Sequence, residues 1–334
     1  MINSIQTVDM HTGGEPLRII VDGIPVPEGH TLLEKRAYLR DHADQYRQFL
    51  MFEPRGHKDM YGALLVPADD PDADLAVIFM HNEGYSTMCG HAIMALGRYA
   101  LDYGLMVKQD GETAVNIQCP CGLVRAHVNT ENGVTGAVRF ESVPAFAFKL
   151  NQFVETRDYG PVEIDIGYGG AFYAILDAST LGLDVRESRT RDLVAAATQI
   201  SDAVKEQIPI THPTELELGY LYGTILTDGG TGRAGTPSAN ICVFADEQVD
   251  RSPTGSGVTA RMALAAARKE INPDEICQFE SVTGAIFKGK IANETKIGPH
   301  KAVTVEVGGR AHYAGTAEFT YEDSDPLGGG FLLR

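Results

Sequence analysis

The sequence predicts an α+β protein of two similar halves, each a strand-rich shell around a central buried helix. Three observations predict it. Apolar residues alternate with polar ones over much of the chain, the pattern of half-buried strands. Two segments break that pattern: Cys89–Leu101 (CGHAIMALGRYAL) and Thr254–Ala267 (TGSGVTARMALAAA) are apolar on nearly every face. A helix apolar all round is buried rather than laid on a surface. The two openings, Cys89-Gly90 and Thr254-Gly255, stand about half the chain apart, each after a strand pattern, Leu75–Met80 and Asn240–Ala245.

The remaining elements follow in order. Thr31 and Glu34 have the spacing of a capping box, opening a helix whose apolar stripe runs Leu39, Ala43, Tyr46, Leu50. Residues 123–128 and 134–140 alternate around Asn132-Gly133, a strong hairpin signal. Strands are predicted at Val162–Ile166 and Phe172–Leu176 on either side of the glycine-rich Gly167–Gly170. Leu193, Ala197, Ile200, Val204 and Ile208 mark one amphipathic helix, and Ala302–Val307 and Ala317–Tyr321 alternate again as strands. With the crossover near 130–150, the halves are residues 1–135, joined by the C-terminal segment 311–334, and residues 136–310. The first carries Cys89, the second Asp250 and Thr254.

A chain of 334 residues exceeds one ordinary core and suits two. Its formal charge of -17, from 28 basic and 45 acidic residues, argues against nucleic acid and anionic membranes as partners. An anionic substrate must then be held by local donors. No run of 18 apolar residues is present, so no helix is expected to span a bilayer. The opening MINSIQTVDMHTGGEP lacks a basic n-region followed by an apolar one, so it does not read as a secretory signal. Five scattered cysteines at this length argue for reduced thiols and a cytoplasmic protein. Cys119-Pro-Cys121 has no matching His or Cys nearby for zinc, and TGSG lacks the rest of a phosphate loop. Neither a metal nor a cofactor is expected.

The chemistry concentrates at the two buried helix starts. A helix N-terminus presents unpaired backbone N–H groups and the positive end of the dipole, so two such ends can bind a small carboxylate without Arg or Lys. Glycines at 90, 255 and 257 would let a ligand approach the backbone. A thiol at such a turn, Cys89, has its pKa lowered from about 8.5 toward neutrality. That suits it to act as general base toward a weak carbon acid. Asp250, four residues before Thr254, can accept hydrogen bonds from an ammonium. Plainer readings exist for each. A buried cysteine is often just a small hydrophobe, His91 can be a local cap as well as a ligand contact, Asp250 can be a turn residue, and Ser252-Pro253-Thr254 can be an ordinary capping sequence.

Five blocks resemble the proline racemase family in order and along the whole chain: DMHTGGEP (Asp9–Pro16), EPRGHKDMYGALL (Glu53–Leu65), MCGHAIMALGR (Met88–Arg98), VDRSPTGSG (Val249–Gly257) and DPLGGGFLL (Asp325–Leu333). The resemblance implies the two-half fold shared with diaminopimelate epimerase, with the active site in the cleft between the halves. It implies a cysteine on each helix turn in the racemases, one removing the α-proton and the other delivering a proton from the far face. Cys89 matches the first. Thr254 stands where the second would be, and a threonine hydroxyl cannot shuttle protons as a thiol does. This Cys/Thr pair resembles the branch that dehydrates trans-3-hydroxy-L-proline. The carry-over then gives Gly90 and His91 to the substrate carboxylate from the first helix, Gly255 and Ser256 from the second, and Asp250 to the ring ammonium. The blocks His11–Pro16 and Glu53–Gly62 are expected as loops shaping the cleft or the interface between halves. A homodimer is compatible with this resemblance. The alternatives are a 4-hydroxyproline 2-epimerase or proline racemase, and a non-catalytic imino-acid-binding protein.

Overall fold

The computed structural model of the chain describes residues 4–233 and 235–333. Residues 1–3, 234 and 334, which include the outer ends of both expected segments of the first half, lie outside the described residues. The chain divides into two compact units, Met1–Val138 with Arg310–Arg334, and Arg139–Gly309.

The first unit opens with β1 (Ser4–Thr12) and β2 (Glu15–Asp22), antiparallel around a Gly13-Gly14 turn whose glycines take φ of 63 and 92°. His11–Pro16 is therefore the closing end of a β-hairpin rather than the expected loop, because two glycines with positive φ turn it tightly. Next come α1 (Leu32–His42) and α2 (Gln45–Met51), then β3 (Tyr61–Val66), parallel to β2, and β4 (Leu75–His81), antiparallel to β3. The capping box is formed: the Thr31 hydroxyl accepts the Glu34 N–H, and the Glu34 carboxylate takes that of Thr31. The single helix expected through Leu50 is instead two. Asp44 separates them, its carboxylate bound by the Arg47 guanidinium and the Gln48 amide. The apolar stripe continues across the break, which is why spacing alone could not reveal it.

After β4 comes α3 (Gly90–Asp102), then β5 (Gly111–Cys119), β6 (Gly122–Glu131) and β7 (Val134–Glu141). β5 lies parallel to β4, so α3 is the crossover helix of that parallel pair. Asn132 and Gly133, at φ 51 and 74°, make the turn between β6 and β7. Ile93, Met94 and Leu96 are wholly buried, and α3 packs against β1 and β6. Each such side chain contributes about 1.5–3 kcal/mol. A Cβ at Gly97 would stand 3.2 Å from Ala126 and Val128, so glycine sets how closely helix and strand approach.

The second unit runs β8 (Phe146–Thr156), β9 (Gly160–Tyr168), β10 (Phe172–Asp177), α4 (Thr190–Gln207), β11 (Leu221–Thr227), β12 (Ser238–Phe244), β13 (Gln248–Asp250), α5 (Gly255–Ala267), β14 (Cys277–Glu280), β15 (Ile286–Ile297) and β16 (His300–Gly309). The order of the first unit recurs. α4 crosses between parallel β10 and β11, and α5 between parallel β12 and β14, while the other neighbours pair antiparallel. α5 packs on β8, β9, β15 and β16. Its first turn rests on the backbone between β9 and β10: a Cβ at Gly169 would lie 2.1 Å from the Ser256 carbonyl oxygen. The chain then returns to the first unit with β17 (Ala311–Thr320), antiparallel to β1. The result is α+β, with mixed sheets and few helices. Among the described residues no helix is long and apolar enough to cross a membrane.

Candidate active site

In the first unit, β4 feeds the segment that places Cys89 as N-cap of α3. Cys89 is extended (φ -149°, ψ 101°) and its side chain caps no N–H of the helix. The first-turn N–H groups, Gly90 and His91 among them, have no intrahelical partner. Cys89 and His91 are both buried, and His91 Nδ1 lies 3.1 Å from Cys89 Sγ. His91 Nε2 lies 3.2 Å from the Pro16 carbonyl oxygen. A proline carbonyl can only accept, so Nε2 carries the ring proton and Nδ1 presents a lone pair to the thiol. Burial pushes the His91 pKa down to about 3, against the pull of the Pro16 carbonyl, so the ring is neutral. Thr12 donates its hydroxyl to the His91 carbonyl at 2.9 Å, and the Tyr61 ring meets the imidazole edge-on at 5.0 Å. His91 is therefore a partner of the thiol, a role sequence reasoning did not assign to it. Thr12, Pro16 and Tyr61 were missed as well, although all three lie in blocks the sequence singles out.

In the second unit, β13 ends at Asp250, paired with Cys242 of β12, and the chain turns through Ser252 and Pro253 to Thr254, the N-cap of α5. Asp250 Oδ1 accepts the Ser252 N–H at 2.7 Å, and Ser252 Oγ accepts the Thr254 N–H at 3.1 Å. Burial pushes the Asp250 carboxyl up to about 6. The Ser252 hydroxyl and N–H, the Thr254 hydroxyl and the Arg251 charge pull the other way. At neutral pH it is a carboxylate that its surroundings only partly satisfy, suited to a cation.

Thr254 sits at φ 64° and ψ 91°, a conformation that costs a β-branched residue on the order of 1–3 kcal/mol. Its hydroxyl oxygen is buried and completes no hydrogen bond of ordinary geometry, so its pull on Asp250 is the weaker one of a nearby dipole. The ordinary capping reading fails here, since Thr254 caps nothing through its side chain. The backbone N–H groups of Gly255 and Ser256 head the helix, and Tyr173 of β10 holds the Ser256 hydroxyl at 2.7 Å. Gly257 does not open the backbone to a ligand. A Cβ there would stand 2.5 Å from Ile225 Cδ1 and 3.0 Å from Thr254 Cγ2, so this glycine serves packing.

Each unit thus presents an uncapped buried helix start, one carrying a thiol, the other a carboxylate in its approach. Among the described residues no three His, Cys, Asp or Glu side chains converge as they would on a metal ion.

The description of the proline racemase family matches residues 7–332. A trans-L-3-hydroxyproline dehydratase of Xenopus tropicalis is 58% identical over 332 residues, 99% of this chain and 95% of that protein. A trans-3-hydroxy-L-proline dehydratase of Homo sapiens is 56% identical over 335 residues, with the same coverage of both. Among solved structures, a hydroxyproline epimerase from Agrobacterium vitis with bound trans-4-hydroxy-L-proline superposes with a TM-score of 0.94 at 28% identity, covering 99% of this chain and 95% of that one.

Proposed function

The chain belongs to the proline racemase family, and from that premise we infer that it is a hydro-lyase converting trans-3-hydroxy-L-proline to Δ1-pyrroline-2-carboxylate and water. The observation that carries this reading is the unlike pair at the two buried helix starts, a thiol at Cys89 and a hydroxyl at Thr254. It agrees with the names of the relatives that are more than half identical. The finer fold reading, two diaminopimelate epimerase-like halves, belongs to the same proposal. The two helix crossovers of each unit support it.

In the substrate the carboxylate and the 3-hydroxyl lie on opposite faces of the ring, so the α-hydrogen shares a face with the hydroxyl. One group on that face suffices. The Cys89 thiolate takes the α-proton and becomes a thiol. The electron pair of the C–H bond forms the C2–C3 double bond as the C3–O bond breaks. The proton on sulfur passes to the departing hydroxide, releasing water and regenerating the thiolate. The enamine then tautomerises to the cyclic imine. His91 Nδ1 accepts a hydrogen bond from the thiol whenever the proton rests there, and with its pKa pushed down to about 3 by burial it is too weak a base to compete for the α-proton. The N–H groups of Gly90 and His91 at the start of α3, and those of Gly255 and Ser256 at the start of α5, are the donors offered to a carboxylate, and Asp250 is the acceptor offered to the ring ammonium. Every group in this scheme belongs to the chain itself.

The test is incubation with trans-3-hydroxy-L-proline, with the cyclic imine detected directly and L-proline offered in parallel. Imine from the first and no D-proline from the second supports the dehydratase. D-proline without imine would return the chain to the racemases, and binding without turnover would make it an imino-acid-binding protein.

A further inference from the structure

Behind the Asp250–Thr254 turn lies a polar chain that the reaction as drawn does not use. Arg261, on the second turn of α5, is buried with its guanidinium over the Phe279 ring. It donates to Asn240 Oδ1 at 3.0 Å, to the Gly230 carbonyl at 2.9 Å and to Ser238 Oγ at 2.5 Å. Asn240, also buried, directs its amide NH2 toward the Pro253 carbonyl at 3.4 Å. Ser238 in turn donates to Asp228, which Arg186 binds nearer the surface.

The direction of this chain is fixed by donor and acceptor capacity. A guanidinium only donates, so the Asn240 carbonyl must face Arg261, and the NH2 is thereby turned to Pro253. Pro253 has no N–H, and the helix hydrogen bonds begin one residue later, with the Val258 N–H donating to the Thr254 carbonyl, so the Asn240 amide is the group that restrains the Pro253 carbonyl. The next residue, Thr254, is held at positive φ, and such conformations persist only where the surroundings over-determine them. Ser252, on the other side of Pro253, supplies the two strongest of the pulls that favour the Asp250 carboxylate, ahead of the Thr254 hydroxyl and the Arg251 charge.

We propose that Asn240, oriented by Arg261, is a positioning residue: its hydrogen bond to the Pro253 carbonyl fixes the turn that presents Asp250 and the start of α5 to the substrate. The proposal rests on the dehydratase reading and deepens it. The effect belongs to binding of the substrate's ammonium and carboxylate, not to proton transfer at Cys89, so KM moves while kcat stays near that of the parent.

The experiment compares Asn240→Asp with Ser238→Ala, both assayed on trans-3-hydroxy-L-proline across pH. Asn240→Asp still accepts from Arg261 but has no N–H for Pro253. Ser238→Ala breaks the branch toward Asp228 and removes one acceptor of Arg261, but leaves the Arg261 bonds to Asn240 and to the Gly230 carbonyl, so it reports plain loss of structure with the Asn240–Pro253 contact kept. The expected result for Asn240→Asp is a KM raised about fivefold to tenfold, the worth of one buried hydrogen bond. The acid limb of kcat/KM should also move upward, because the Ser252 donors to Asp250 loosen. Ser238→Ala should keep the parent KM and acid limb even where its Tm falls as far. An unchanged KM in Asn240→Asp, or an equal rise in Ser238→Ala, overturns the proposal. If Asn240→Asp does not fold, Arg261→Lys carries the same test, since one ammonium cannot keep the fork that orients Asn240. Failure of the parent to turn over the substrate would instead strike the functional reading.

Discussion

His91 Nδ1 stands 3.1 Å from Cys89 Sγ while Nε2 of the same ring reaches the Pro16 carbonyl at 3.2 Å. The second contact sets the tautomer, so one backbone carbonyl of the β1–β2 hairpin decides that Nδ1 offers the thiol a lone pair rather than an N–H. The thiol is thus oriented before any substrate arrives.

Cys89→Ala is expected to abolish turnover while the fold and substrate binding survive. The loss should reach at least the roughly 10²–10⁴ contributed by a positioned base. Steady-state assays with far-UV circular dichroism and a binding titration check it. Activity within about tenfold of the parent would assign proton abstraction elsewhere.

The Asp250 carboxyl, pushed up to about 6 by burial, must be ionised to hold an ammonium. kcat/KM should therefore rise with pH through about 6. Asp250→Ala should remove that limb and weaken substrate binding by about 1.5–3 kcal/mol, the worth of a charged hydrogen bond. A pH series on both proteins decides it. If the variant binds as tightly as the parent, Asp250 is only a turn residue.

Thr254→Cys should introduce racemisation of L-proline or epimerisation of hydroxyproline, at the expense of dehydration. A thiol heading α5 gains the helix-start effect on its acidity, whereas the threonine hydroxyl keeps its proton. The two side chains are close in volume, so the fold should tolerate the change. Chiral analysis of proline incubated in D₂O is the readout. The parent should exchange the α-hydrogen, if at all, with retention, and the variant should yield D-proline. Efficient racemisation by the parent would sink the one-base account.

Between pH 6.5 and 5, above the range where the carboxylates with lowered pKa such as Asp44, Asp102 and Asp228 begin to matter, acidification should weaken folding chiefly through histidine. The His91 pKa is about 3 in the fold against an ordinary 6.5, so the folded state binds fewer protons than the unfolded one between those values. Its contribution is complete above 6.5 and lost as pH falls toward 3. His212, His300 and His312 are lowered too, each by burial, and add to the loss. Asp250 acts oppositely. Its raised pKa makes its contribution complete below 3.8 and lost as pH rises through about 6. Four histidines outweigh one carboxyl, so Tm should fall from pH 6.5 to 5. His91→Asn should flatten that slope in a differential scanning series, and an unchanged slope would show that His91 is not among the groups responsible.

Much of this was legible in the sequence because period and composition are local. The all-round apolar character of Ile93, Met94 and Leu96 marks α3 as buried without any knowledge of what covers it. The Asn132-Gly133 turn and the Thr31–Glu34 box are likewise written within a few residues. What stayed hidden depends on residues far apart in the chain. The Thr12 and Pro16 contacts to His91 span 75 residues or more, and Tyr173 meets Ser256 across 83. The break at Asp44 was hidden differently, because the stripe of apolar residues is indifferent to a single misplaced turn. Gly257 misled because a glycine near a helix start serves a ligand or a neighbouring side chain equally well on paper.

Gly169 has no chemistry of its own, yet the Ser256 carbonyl rests almost directly on it. Between most helices and sheets a layer of side chains absorbs small shifts by changing rotamers. Here that cushion is missing, and backbone bears on backbone. The start of α5 consequently has a mechanical stop: it cannot settle toward β9 and β10, and any substituent at 169 acts as a shim that lifts it. Tolerance at the turn that opens α5 is therefore set from underneath, by the one residue type that adds no thickness.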